Sequence, residues 1–312
     1  MSHNINSMFY YGEKPWHKLG TEVKEVATSE QAITAAKLDW NVRKEQLQRA
    51  DGTKVESFAT VRSDTNETLG VVGNVYEPLQ NKSAFSFFDA VVGEKAAMYH
   101  TAGSLGNGEA VWMLAKLPGY IRVIGDDVSE KFLLLTNRHD GRGAVRVMFT
   151  PIRVVCQNTL NIALSGIEKR FKAKHTVSLG NKVKDIQDYL GIIDAKSSLF
   201  EECARKLATV ELTTEAWKNY VKNSGLIPQE IPGERQSTRA YNIMEDVSRL
   251  FEHGKGQEMP GAKHTAWGAF NAVVEYVDYQ RATKEGKRAE SLLFGSGANI
   301  KQTAWDNALA LV

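Results

Sequence analysis

The sequence predicts an α+β protein, with a mostly antiparallel sheet and packed helices in its N-terminal part and an all-helical C-terminal part. Three observations carry that expectation. Short runs rich in β-branched residues, parted by Gly, Asn and Asp, fill the chain as far as about residue 155. From about Lys182 the apolar residues recur instead at helical spacing. No internal repeat or low-complexity tract stands out in the 312 residues. The division is placed near residue 180, giving an α+β domain over 1–180 and a helical domain over 181–312.

Taken in order, Phe9–Gly20 is aromatic and glycine-punctuated, and reads as a loop wrapped on the domain through Tyr10, Tyr11 and Trp16. Thr28 or Ser29 caps a short helix carrying Ala32, Ile33, Ala36 and Leu38. Trp40–Leu47 and Val55–Arg62 form a hairpin around Ala50-Asp51-Gly52, and Thr68–Val75 adds a further strand. Asn81 or Ser83 starts a helix with Phe85, Phe88, Val91 and Val92 along one stripe, a pattern of core packing rather than of a base-stacking platform. Ala97–Leu105, Ala110–Leu117 and Tyr120–Ile124 follow as strands. Phe132–Thr136 and Ala144–Val155 then flank the turn Asn137-Arg138-His139-Asp140-Gly141-Arg142-Gly143, and a helix capped by Asn158 or Thr159 begins near Leu160. Helical patterns over Val183–Leu190, Ala195–Thr209, Thr214–Ser224, Thr238–Glu252, His264–Arg281 and Ile300–Leu309 complete the chain.

Charge is the most informative feature. Arg138–Lys184 holds ten Lys or Arg against Asp140 and Glu168, a net +8 in a chain of net +2, so the remainder sums to −6. Concentrated positive charge suits a polyanion, because each neutralised phosphate releases counterions. A solvated basic surface compensated in space by acids elsewhere is the competing reading. Within the strand after the turn, Val145, Val147 and Phe149 alternate with Arg146, Met148 and Thr150, and Pro151 marks a bulge or sheet edge. Arg138, Arg142, Arg146 and Arg153 are therefore expected along one side of the hairpin. Lys169, Arg170, Lys172 and Lys174 follow, with Phe171 free to stack on a base or to anchor in the core.

Other chemistries find less support. His139 and Asp140 suggest a base and its orienting carboxylate, and Cys156 beside Gln157-Asn158 suggests a nucleophile, but Asp-Gly is foremost a turn dipeptide and Val154-Val155 imply a buried thiol. The seven histidines show no metal-ligand spacing, and the two cysteines, Cys156 and Cys203, suggest neither a disulfide framework nor a metal site. Neither Gly103–Gly108 nor Gly295-Ser296-Gly297 carries the lysine of a phosphate loop. No cofactor is expected. With no apolar run near the roughly 20 residues of a membrane span, and no basic-then-apolar leader in the first residues, a cytoplasmic protein is expected.

Several segments together carry a resemblance: Pro15-Trp16-His17-Lys18-Leu19-Gly20-Thr21, Leu69-Gly70-Val71-Val72-Gly73 with Tyr76, Thr101-Ala102-Gly103-Ser104-Leu105 and His139-Asp140-Gly141. Arg153-Val154-Val155-Cys156-Gln157-Asn158-Thr159-Leu160, Lys174-His175-Thr176, Trp267-Gly268-Ala269 with Asn271-Ala272, Tyr276 and Asp278, and Phe294-Gly295 extend it over nearly the whole chain. The chain resembles the phage- and plasmid-related family known as domain of unknown function 932. Lys18 stands where that family commonly has glycine and Arg142 where it commonly has serine. The resemblance implies a mobile-element protein of the bacterial cytoplasm and supplies no catalytic residues. The hairpins, helix and basic exit also resemble, in arrangement, the core of single-strand annealing proteins of the RecT and Redβ kind, which implies a homo-oligomer. The expected function is single-stranded DNA binding or annealing in replication or recombination, with no membrane partner. The rivals are an enzyme centred on His139, Asp140 and Cys156, and a protein-binding module such as a host-defence inhibitor using the helical part.

Overall fold

The computed structural model describes residues 5–12, 20–24, 28–92, 98–143, 145–153, 158–159, 183–228, 237–284 and 287–312. Strands dominate the N-terminal half and helices the C-terminal part, so the protein is α+β. A seven-stranded sheet has the order β10-β9-β8-β7-β6-β1-β2, built from β1 (Ile5–Tyr11), β2 (Thr21–Val23), β6 (Met98–Leu105), β7 (Ala110–Arg122), β8 (Val128–Arg138), β9 (Arg146–Arg153) and β10 (Asn158–Thr159). A three-stranded antiparallel sheet holds β3 (Val42–Gln48), β4 (Lys54–Arg62) and β5 (Thr68–Val72). Among the described residues no helix is long and apolar enough to cross a membrane.

The chain forms two compact units that are not contiguous in sequence. The first comprises Met1–Pro118, Phe132–Met148 and Leu164–Ile193; the second comprises Gly119–Lys131, Phe149–Ala163 and Asp194–Val312. Strands β7, β8 and β9 each contribute residues to both. The boundary expected near residue 180 falls within 160–182, outside the described residues, as does the helix expected near Leu160.

In the first unit, α1 (Ser29–Ala35) begins with a capping box in which Thr28 Oγ1 accepts from the Gln31 amide and the Gln31 side chain accepts from the Thr28 amide. It packs on α2 (Asn81–Val92), β1 and β6. Phe85 is fully buried, with its ring 5.6 Å from that of Tyr99, so it is a core residue as its helical spacing implies. The first departure from the expected layout is at Phe9–Tyr11, which are not loop. They end β1, antiparallel to β6 (Phe9↔Ala102) and parallel to β2 (Phe9↔Thr21), with Phe9 and Tyr10 buried. Gly12 and Gly20 make the stretch read as a loop, whereas the strand is specified by partners far along the chain. The second departure joins the two strands expected on either side of Pro118-Gly119 into the single β7. Gly119, at φ +78°, lets it pass an irregularity that reads locally as a turn.

One position in β6 has no room for a side chain. A Cβ at Gly103 would meet the Ser7 carbonyl oxygen, the Trp112 ring at 2.6 Å and Met8 Cβ at 2.7 Å. The absence of that atom lets β1 lie against β6 under the indole.

The second unit is mainly helical: the later part of α3 (Val183–Leu207), then α4 (Thr214–Asn223), α5 (Thr238–His253), α6 (Ala266–Glu275), a π-helical turn Tyr276–Gln280, α7 (Arg288–Phe294) and α8 (Ser296–Leu309). The helical patterns read at Val183–Leu190 and Ala195–Thr209 are one continuous α3. Thr213, Ser237 and Thr265 cap α4, α5 and α6 by accepting from the amides of Ala216, Ala240 and Gly268. Their core is aromatic: Phe200 stacks on Trp305 at 5.0 Å, Phe270 meets Trp305 edge-on at 5.1 Å, and Trp267 Nε1 donates to the buried Asp127 at 2.9 Å. Lys301 and Asp278 form a buried ion pair of 2.9 Å that ties α8 to the π-helical turn.

Replacing Gly103 with Ala is expected to lower stability by about 1–3 kcal/mol through overpacking. Gly73→Ala, where an added Cβ meets nothing within 4 Å, serves as the control. Urea denaturation compares the two midpoints, and equal midpoints would remove the steric argument for β1.

Candidate nucleic-acid interface

The turn between β8 and β9 has an inner half held by buried polar bonds and an outer half that carries free positive charge. The inner half begins at Asn137, whose Nδ2 donates to the Leu79 carbonyl at 3.0 Å, and at Arg138, whose carbonyl accepts from Tyr76 Oη at 2.9 Å. His139 is fully buried. Its amide donates to the Glu109 carbonyl (2.8 Å) and its carbonyl accepts from Thr60 Oγ1 (2.7 Å). The ring lies edge-on to Trp40, with centroids 5.4 Å apart, and Nε2 sits 3.1 Å from Asn81 Oδ1. Asn81 Nδ2 already donates to the carbonyls of Leu38 and Trp40, so its oxygen faces the imidazole and His139 carries a proton on Nε2.

Asp140 and Arg138 form the second lock. Arg138 presents its fork to the carboxylate, Nε to Oδ1 at 3.0 Å and Nη2 to Oδ2 at 2.5 Å, and the Arg142 amide donates to Oδ1 at 3.0 Å. Burial by itself would raise the Asp140 carboxyl; the Arg138 fork, the Arg142 amide and the charges of both arginines outweigh it and hold the group below its ordinary 3.8. Burial, and then the Asp140 charge, push the Tyr76 phenol well above its usual range, so it remains a donor. Gly70 of β5 approaches so closely that a Cβ there would stand 2.5 Å from Asp140 Cα. Gly141 turns the chain at φ +75°, a conformation that favours glycine.

A parallel lock holds the neighbouring strand. Arg62 pairs with Asp64 at 2.7 and 3.0 Å, donates to the Asn107 carbonyl and Asn6 Oδ1, and lies 4.5 Å over the Trp40 ring. The Trp40 indole thus sits between a guanidinium and the His139 imidazole.

The sequence-derived residues separate accordingly. Arg138 faces Asp140 and positions the turn. Arg142 is exposed and Arg146 half-exposed, and among the described residues neither guanidinium forms an ion pair or a hydrogen bond. Val145, Val147 and Phe149 are buried as their alternation implies, whereas Thr150 is buried with them. Arg153 pairs in register with Asn158 and belongs to the second unit. Lys169, Arg170, Phe171, Lys172 and Lys174, and Cys156 of the enzymatic alternative, lie outside the described residues. As for His139 and Asp140, the imidazole is sealed from solvent and both carboxylate oxygens are engaged by Arg138 and the Arg142 amide. A general base needs reach to its substrate, and this His lacks it. Sequence reasoning assigns no site role to Thr60, Tyr76, Asn81 or Arg62. Each is an ordinary turn, strand or helix-start residue until partners 45 or more positions away are known, from Arg62–Asn107 (45) to Thr60–His139 (79).

Because the folded Asp140 pKa is depressed, its contribution is complete above the unfolded value of about 3.9 and is lost as pH falls through the lower folded value. Asp140→Asn is expected to cost about 3 kcal/mol at neutral pH by leaving Arg138 uncompensated. The difference from the unaltered protein should shrink in acid, where protonation removes the same pair. Denaturation midpoints at pH 7 and below pH about 3 measure this, and a difference independent of pH would exclude the ion pair as its source.

Comparison with curated proteins and with solved structures returned no match. Over residues 68–293 the chain matches the profile of a family described as Domain of unknown function (DUF932), a span that includes the whole β8–β9 turn and most of the helical part. The chain belongs to that family.

Proposed function

We propose that the protein binds single-stranded nucleic acid, most directly DNA, without catalysing a reaction on it. The observation that carries this reading is the concentration of net +8 within Arg138–Lys184 in a chain of net +2. Arg142 stands on a turn whose inner half is locked and Arg146 opens β9 just beyond it, and among the described residues neither guanidinium forms an ion pair. With the backbone beneath them held, the two side chains are the part left to order when a phosphate arrives. In chain order Lys169, Arg170, Lys172 and Lys174 continue the positive run and Phe171 offers a stacking face, the combination that single-strand binding uses. The described residues of the turn offer no base-reading helix, so the expected contact is to the backbone and tolerant of sequence.

In this reading the protein serves replication or recombination of a phage or plasmid in the bacterial cytoplasm, as a homo-oligomer that coats or anneals strands. Arg138, held by Asp140, contributes through the position of the turn. The enzymatic alternative loses support with His139 buried and Asp140 engaged.

Retention on a single-stranded oligonucleotide is expected to weaken steeply with salt. Changing Arg142 and Arg146 together to Ala should reduce the slope of log K against log salt by about 1.4, two contacts at about 0.7 each. Thermal unfolding should change little, since Asp140 keeps the Arg138 fork and the amide of residue 142. An unaltered slope with unaltered affinity would exclude the turn as the binding surface.

A further inference from the structure

The second unit holds a cavity of about 360 Å³ whose charge is unbalanced. The first turns of α5 supply Arg239, Asn242, Ile243 and Asp246, spaced so that they share one helix face. Opposite them stand Tyr276, which opens the π-helical turn, and Arg281, which follows it. A π-helical turn widens the backbone ring by one residue, and the Arg281 amide closes this one on the Tyr276 carbonyl at 2.7 Å. The chain then leaves the helix with Arg281 at the cavity wall.

Neither arginine of this cavity meets a carboxylate among the described residues. Arg281 Nη1 reaches only hydroxyls, Ser296 Oγ at 3.2 Å and Ser291 Oγ at 3.4 Å, which leave its charge intact. Arg239 has no hydrogen bond or ion pair among the described residues, and it stands in the first turn of α5, where the helix dipole already disfavours a cation. Burial, and then the nearby Arg239 charge, disfavour protonation of Arg281. The carboxylate in the wall, Asp246, is held by Arg249 at 3.0 Å, and the neighbouring Asp278 is held by Lys301 at 2.9 Å. Two guanidiniums and the positive end of a helix therefore face one space, and each would be relieved by an anion.

We infer that this cavity binds a phosphomonoester. Two forks match the oxygens of one dianionic phosphate in number and in charge, which a single carboxylate does not. Asn242 adds an amide and Ile243 an apolar wall for the organic part. The volume lies at the small end of the roughly 300–1,000 Å³ of ligand pockets, the size for one nucleotide and not for a dinucleotide cofactor. The phosphomonoester of a free nucleotide and that at the 5′ end of a strand share this chemistry. The inference stands apart from strand binding at the β8–β9 turn, since it uses no residue of that turn.

Calorimetric titration of the full chain with AMP, adenosine and inorganic phosphate tests it. AMP and phosphate are expected to bind and adenosine not to. Arg239→Ala should weaken AMP by about tenfold to a hundredfold, the worth of a charge-assisted contact. Unliganded thermal stability should stay the same or rise, which separates ligand contact from support of the fold. Arg142→Ala with Arg146→Ala should leave AMP binding untouched, so failure of strand binding and failure of this site are distinguishable. A 5′-phosphorylated oligonucleotide that outbinds its 5′-hydroxyl form, with the advantage lost in Arg239→Ala, identifies a strand end; AMP binding without that advantage identifies a free nucleotide. No AMP or phosphate binding at millimolar concentration, or equal binding by Arg239→Ala, would overturn the inference.

Discussion

Within the first unit, much depends on how closely the backbone at Asp140 can lie against Gly70. With a Cβ-to-Cα distance of 2.5 Å for any larger residue, the two segments meet only because position 70 carries no side chain. That approach joins β5 of the small sheet to the turn after β8, and the turn then gathers a set of otherwise costly buried groups. Thr60 Oγ1 donates to the carbonyls of both Gly70 and His139, bridging the same two segments. A buried carbonyl without a partner would destabilise the fold by about 1–3 kcal/mol, so the hydroxyl and the glycine act together.

The consequence is a turn with two chemical faces. Residues 137–140 point their polar atoms inward to Leu79, Tyr76, Asn81, Glu109 and Arg138, while Arg142 and Arg146 face outward. Alternation alone places Arg138 with Arg142 and Arg146. Asp140 separates them, because a carboxylate two residues on captures the Arg138 fork and withdraws its charge from the surface. A like-charged run thus divides into one positioning residue and two whose guanidiniums form no ion pair among the described residues.

The second unit solves its polar problem differently. Its aromatic core around Phe200, Trp267, Phe270 and Trp305 encloses Asp127 by an indole donor, and Lys301 and Asp278 neutralise each other within it. Of the carboxylates near the π-helical turn, Asp246 is paired with Arg249 and Asp278 with Lys301, while Glu275 accepts from the Lys255 amide. Arg239 and Arg281 are left over, so the local balance is positive although the chain outside Arg138–Lys184 sums to −6. Charge counted along the sequence and charge counted in space differ there, because α5 and the segment after α6 lie some forty positions apart.

What the amino-acid order determined by itself is the part governed by local periodicity and local turn chemistry. The α+β class, the β3–β4 hairpin, the core side of β9, the core place of Phe85 and a cap at Thr28 or Ser29 all follow from neighbours within about eight residues, the range of two helical turns. The tertiary structure alone decided the strand at Ile5–Tyr11, the continuity of β7 through Pro118-Gly119, the burial of His139 and the convergence of Arg239 with Arg281. Each of these depends on a partner far along the chain. A strand gains its hydrogen bonds, and a charged or polar side chain its environment, only from whatever the fold brings beside it.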